Sequence, residues 1–76
     1  MNKQIEKRIG EKIRNFREKA GLTQDYVAAK LQLSGYDITR SAVTKIEVGI
    51  RHVYPDEILL LKEILHASYE DIFDVN

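Results

Sequence analysis

The sequence predicts a compact all-α domain of five short helices. Three observations carry that expectation. Apolar residues recur three and four apart through most of the chain, the period of one helix face. Segments with that period are punctuated by hydroxyl residues, a proline and glycines, which begin and end helices. No stretch shows the two-residue alternation of a half-buried strand. A chain of 76 residues is expected to form one domain, residues 1–76, around one small core.

Each element follows from its own signals. Ile5, Ile9, Ile13 and Phe16 fall at spacings of four, four and three and predict a helix from about Lys3 to Lys19. Lys7, Arg8, Lys12, Arg14 and Arg17, mixed with Glu6, Glu11 and Glu18, give it a solvated outer face. Gly21 ends it as the residue just past the last turn. Thr23 is placed to cap a second helix, with Asp25 in the first turn, where a carboxylate suits the helix dipole. Val27, Ala28 and Leu31 are its buried stripe, and the small Ala28 permits close helix approach. Leu33 to Ile38 reads as a loop, with Ser34-Gly35 as the turn signal. Thr39 caps a third helix with Val43 and Ile46 pointing inward, and Gly49 closes it. After connecting chain over residues 50–54, Pro55 fits the first position of a fourth helix, followed by Asp56 and Glu57. Ile58, Leu61 and Leu65 are its core face. Ser68 begins a fifth helix, with Asp71 completing a weak capping box and Tyr69, Ile72 and Phe73 as anchors. No repeat, low-complexity segment or linker interrupts this pattern.

Composition narrows the function. With no cysteine there is no disulfide, thiolate chemistry or cysteine-based zinc site. The aliphatic run Ile58-Leu59-Leu60-Leu61 is far short of a membrane span, and Met1-Asn2-Lys3 leads into charged sequence rather than a signal peptide. A cytoplasmic protein without membrane contact is expected. The net charge is zero, but its distribution is uneven. Residues 1–51 carry eleven Lys/Arg against six Asp/Glu, whereas residues 52–76 carry one Lys against six acids. A basic front suits phosphate and an acidic back stays away from it; chance clustering on a solvated surface is the plainer account.

Other chemistry finds little support. His52 and His66 stand fourteen apart without metal-ligand spacing, so no metal and no cofactor are expected. Glu70 and Asp71 face different directions on a helix, the four glycines are scattered, and no serine has a base partner. No enzyme and no small-molecule substrate are expected. Tyr26 and Tyr69 read as half-buried core residues rather than a stacking platform.

What does stand out is the pair Gly21-Leu22-Thr23-Gln24 and Thr39-Arg40-Ser41. Long polar side chains gather at two neighbouring helix N-termini, the arrangement with which a helix-turn-helix reads a DNA major groove. The ordered set Ile9-Gly10-Glu11-Lys12-Ile13-Arg14, Phe16-Arg17, Gly21-Leu22-Thr23-Gln24, Val27-Ala28, Leu31 and Val43-Thr44-Lys45-Ile46-Glu47 with Gly49 resembles the Cro/C1 (XRE-type) helix-turn-helix family. The resemblance runs from about residue 9 to 73. It implies a five-helix lambda-repressor-like domain in which helices 2 and 3 are the helix-turn-helix, here with an enlarged turn.

The resemblance also implies roles. Bases would be read by Arg40, Ser41, Thr44 and Lys45, with Arg40 suited to the bidentate contact with guanine. Phosphate would be held by Thr23, Gln24, Arg51 and His52. Arg17 and Glu47 match a structural ion pair of the family. A repressor is implied, bound as a homodimer to pseudo-palindromic double-stranded DNA. The alternative is a protein-interaction module, such as an antitoxin or a regulator-binding partner. Arg40 and Lys45 free of acidic neighbours would favour DNA.

Two departures from the family pattern bear on this. The turn between helices 2 and 3 is about five residues longer than usual; Leu33 or Ile38 can fill its apolar position, and Ile38, next to the Thr39 cap, is preferred. Ser34 to Asp37 then protrude, either as a tolerated insertion or with Tyr36 or the Gly35 backbone touching DNA or a partner. In the fourth helix, Lys62 stands where the family has a small buried residue, and Leu60 where it has a polar one. Leu60 and Ile64 make a second apolar stripe, either a wider core face or, with Leu59, a dimer contact.

Overall fold

The computed structural model describes residues 2–74. Helices α1 (Lys3–Lys19), α2 (Gln24–Leu33), α3 (Arg40–Val48), α4 (Pro55–Leu65) and α5 (Tyr69–Phe73) follow one another, with no strand among the described residues. Each start is fixed by a cap. The Asn2 side chain accepts from the Gln4 and Ile5 amides. Thr23 accepts from Tyr26 N–H and Thr39 from Ala42 N–H. At α4 the Glu57 carboxylate reaches back to Tyr54 N–H at 3.0 Å. Ser68 and Asp71 exchange side-chain bonds with each other's amides, a reciprocal capping box.

The core is one cluster to which all five helices contribute: Ile9 and Ile13, Val27 and Leu31, Val43 and Ile46, Ile58, Leu61 and Leu65, and Ile72. Ile38 is 2% exposed and seats the inter-helix connection, as its place before the Thr39 cap predicts. The tightest approach is between α1 and α3. Gly10 lies against the carbonyls of Ile46 and Glu47; a Cβ there would sit 2.7 Å from the Glu47 oxygen. At the end of α3, Gly49 has φ +84°, and a Cβ would fall 2.7 Å from Lys7 Cα. Two side-chain-free positions thus let the α1 backbone meet the α3 backbone over its last turn.

Several expectations change. Leu33 belongs to α2 rather than to the loop and is 82% exposed, because Ser34, not Leu33, occupies the cap position. Of the three α5 anchors only Ile72 is buried; Tyr69 and Phe73 are 42% and 47% exposed, since a five-residue helix presents one inward position. Tyr26 is likewise on the surface, beneath the Lys30 ammonium, and Tyr69 lies beneath that of Lys62. Tyr36 packs against the core. The Asp56 carboxylate near its hydroxyl, together with burial, raises its pKa. The insertion is therefore tied to the start of α4 through Tyr36. Leu60 and Ile64 also pack against the core, so they widen the inward face of α4, while Leu59 stays 48% exposed. Among the described residues no helix is long and apolar enough to cross a membrane.

Candidate nucleic-acid interface

The caps at Thr23 and Thr39 bring the N-terminal turns of α2 and α3 side by side, and a polar network joins them. Arg17, from α1, donates through Nε and Nη2 to the two oxygens of Glu47 at 2.7 and 3.1 Å. Its Nη1 donates to the Leu22 carbonyl at 2.8 Å, so the guanidinium also fixes the chain entering α2. The pair is sequestered: the Arg17 side chain is 12% exposed and that of Glu47 2%. The hydrogen bond to Glu47 raises the Arg17 pKa against the opposing effect of burial. This is the ion pair anticipated from the sequence.

The network then reaches the surface. Gln24 Nε2 donates to Glu47 Oε1 at 3.0 Å, and the Thr44 hydroxyl donates to Gln24 Oε1 at 2.8 Å. Gln24 is thereby held between a buried carboxylate and the exposed face of α3. Arg14, Thr23, Gln24, Asp25, Arg40 and Thr44 border one shallow concave surface across the two helix starts. Neither Arg14 nor Asp25 is assigned to the site from the sequence; nothing in helical periodicity distinguishes Arg14 from the other cations of that face.

Arg40, Ser41, Thr44 and Lys45 all lie on the exposed side of α3. Arg40 does have an acidic neighbour, contrary to expectation: its Nε is 4.0 Å from Asp25 Oδ1, with side chains 66% and 75% exposed. A pair so long and so solvated is weak and easily exchanged. Lys45 makes no ion pair among the described residues.

The connection after α3 is organised differently from the sequence reading. Arg51 donates to both oxygens of Glu57 at 3.0 Å and to the His52 carbonyl at 2.7 Å. That engagement raises the Arg51 pKa. Arg51 thus clamps the connection onto α4. Burial pushes the Glu57 carboxyl up, but the bonds from Arg51 and the Tyr54 amide outweigh it and hold it below its ordinary value. The His52 imidazole contacts Glu6 of α1 through Nδ1. Lys3, Glu6, Gly49, Ile50 and His52 surround a second small recess on this flank. Among the described residues no cluster of metal-ligating groups is present.

Residues 13–72 match a family model described as helix-turn-helix. Neither a curated protein nor a solved structure matches the chain. The family match spans most of the chain, and its two central helices are α2 and α3, whose starts carry the polar network. The chain belongs to the Cro/C1-type (XRE) helix-turn-helix family of DNA-binding regulators, with the lambda-repressor-like fold of five helices.

Proposed function

We propose that this regulator is a repressor that binds a pseudo-palindromic operator as a homodimer, with α3 in the major groove. The observation that carries the reading is the Arg17–Glu47–Gln24–Thr44 network, which ties a buried ion pair to the exposed starts of both helices. Arg40, Ser41, Thr44 and Lys45 then face base edges. Arg40 is the side chain for a guanine, with Asp25 released as the contact forms. Thr23 and Gln24 hold phosphate at the start of α2, where the helix dipole favours an anion. On the other flank His52 and Lys3 take the phosphate role, and Arg51 supports the connection from behind.

For the homodimer, the exposed face is carried by Leu59, Tyr69 and Phe73, each between 42% and 48% exposed. Lys62, one turn from Leu59, lies over the Tyr69 ring at 5.1 Å and joins the two helices of that face. Two copies meeting there would present their α3 helices to half-sites about one DNA turn apart.

Selection from a random duplex library tests the reading. An enriched motif with two-fold symmetry is expected. With six to ten phosphate contacts, affinity should fall roughly 10³–10⁵-fold between about 50 and 200 mM salt. Enrichment of nothing, or of an asymmetric single half-site only, would overturn the sequence-specific or the dimeric part respectively.

A further inference from the structure

We propose that Gln32 is a positioning residue for operator recognition: through the lengthened connection between α2 and α3 it sets the direction in which Arg40 leaves the reading helix. This rests on the DNA reading of α3 given above. Gln32 stands one residue before the end of α2, on the exposed side and outside the core cluster. Its side chain is nonetheless engaged. Nε2 donates to the Ile38 carbonyl at 2.9 Å, six residues on.

A long connection has more ways of entering a helix than a tight turn has. Here that freedom is removed step by step. The Tyr36 amide donates to the Leu31 carbonyl at 3.0 Å, and the Tyr36 side chain packs against the core. The Ile38 amide donates to the Tyr36 carbonyl at 3.0 Å, and the Ile38 side chain is buried. Ile38 is thus held by its amide and by its side chain. Its carbonyl belongs to the next peptide plane, the one that joins Ile38 to Thr39. Gln32 holds that plane. A rotation there would carry Thr39, whose hydroxyl caps α3 through the Ala42 amide, and Arg40 directly after it.

The polar network leaves this task open. It grips α3 at Thr44 and Glu47, one and two turns beyond the first residue. Arg40 itself has only the long, solvated contact with Asp25 as an ion pair among the described residues. Its direction therefore depends on the backbone that carries it. A bidentate contact with guanine needs two bonds in one plane, so it is sensitive to that direction. A contact with phosphate is not, because the charge can be met from many sides.

Gln32→Met is the test, because methionine keeps the length of the side chain and lacks the donor. Random-duplex selection is run with wild type, Gln32→Met, Arg40→Ala and the double variant. Gln32→Met should relax the preference at the base pair that Arg40→Ala relaxes. Binding to the selected duplex should weaken about five- to tenfold, a part of the discrimination that one bidentate contact supplies. Binding to an unrelated duplex should stay at the wild-type level. The double variant should bind no more weakly than Arg40→Ala, since without the arginine nothing remains to be positioned. Affinities are measured at a temperature where melting shows every variant folded. A merely structural role would then leave them unmoved or weaken both duplexes alike. The proposal is overturned if Gln32→Met keeps the wild-type motif and affinity, if it weakens both duplexes equally, or if its loss adds in full to that of Arg40→Ala. If the wild type selects no sequence, the DNA reading fails before any variant is made, and the proposal falls with it.

Discussion

Two arginine–glutamate pairs of the same chemistry stand on either side of α3, and they serve different ends. Arg17–Glu47 joins α1 to α3 across thirty residues of sequence, with a carboxylate 2% exposed. Arg51–Glu57 spans six residues, with a guanidinium 28% exposed. The first passes its spare acceptor capacity to Gln24 and thence to Thr44 on the DNA side. The second closes on backbone, the His52 carbonyl and the Tyr54 amide. A buried pair orients a functional surface only when one of its atoms remains available to a side chain that reaches out.

That contrast can be broken experimentally. The largest effect is expected at Glu47: Glu47→Ala strands a buried guanidinium and should reduce stability by about 3–5 kcal/mol in urea unfolding. Glu57→Ala should lose less, about 2–3 kcal/mol, because the Arg51 it leaves is partly in water. A reversal of that order would show that connection geometry, not burial, dominates. Next is Arg40→Ala, expected to lose about 1–3 kcal/mol of specific DNA binding and to relax preference at one base pair, with melting unchanged. An unaltered selected motif would remove Arg40 from base reading. Gln24→Ala should weaken binding more evenly across sequences and leave the salt slope unchanged, because a neutral side chain displaces no counterion. Wild-type affinity in that variant would cut the link between the network and phosphate.

The smallest and most diagnostic effect concerns pH. Glu57 has its folded pKa depressed below the ordinary 4.5. The folded chain therefore prefers the ionised form, and the contribution is complete above the unfolded value and lost as pH falls through the folded one. Urea midpoints should decline below about pH 5 in wild type and decline less in Glu57→Gln. Parallel acid limbs would show that Glu57 has no net linkage to folding.

Much of the fold was legible because its signals are local. Thr23, Thr39, Pro55 and Ser68 each mark a helix start within one or two residues, and the hydroxyls of Thr23, Thr39 and Ser68 form the cap bonds. What failed was what depends on neighbours distant in sequence. The consecutive Leu59, Leu60 and Leu61 leave open which faces of α4 are covered; Leu60 packs inward only because of the helices beside it. The resemblance implies a phosphate role for Arg51 but gives no hint of its ion pair. Its partner Glu57 lies across a loop, where no helical spacing rule pairs them. His52 and Glu6 are 46 apart and carried no joint signal at all. In the site, Arg17, Gln24, Thr44 and Glu47 were each identifiable through the family resemblance. Their continuity is a product of α1, α2 and α3 converging.

The bare Cα at Gly10 carries a consequence for how recognition happens. With main chain against main chain, the position of α3 relative to α1 is set by atoms common to every residue, not by side chains that can repack. Amide hydrogens of these two helices should therefore be among the last to exchange with solvent. A reading helix so fixed before it meets its operator surrenders little conformational freedom on docking, and less of the free energy of contact is lost to ordering the protein.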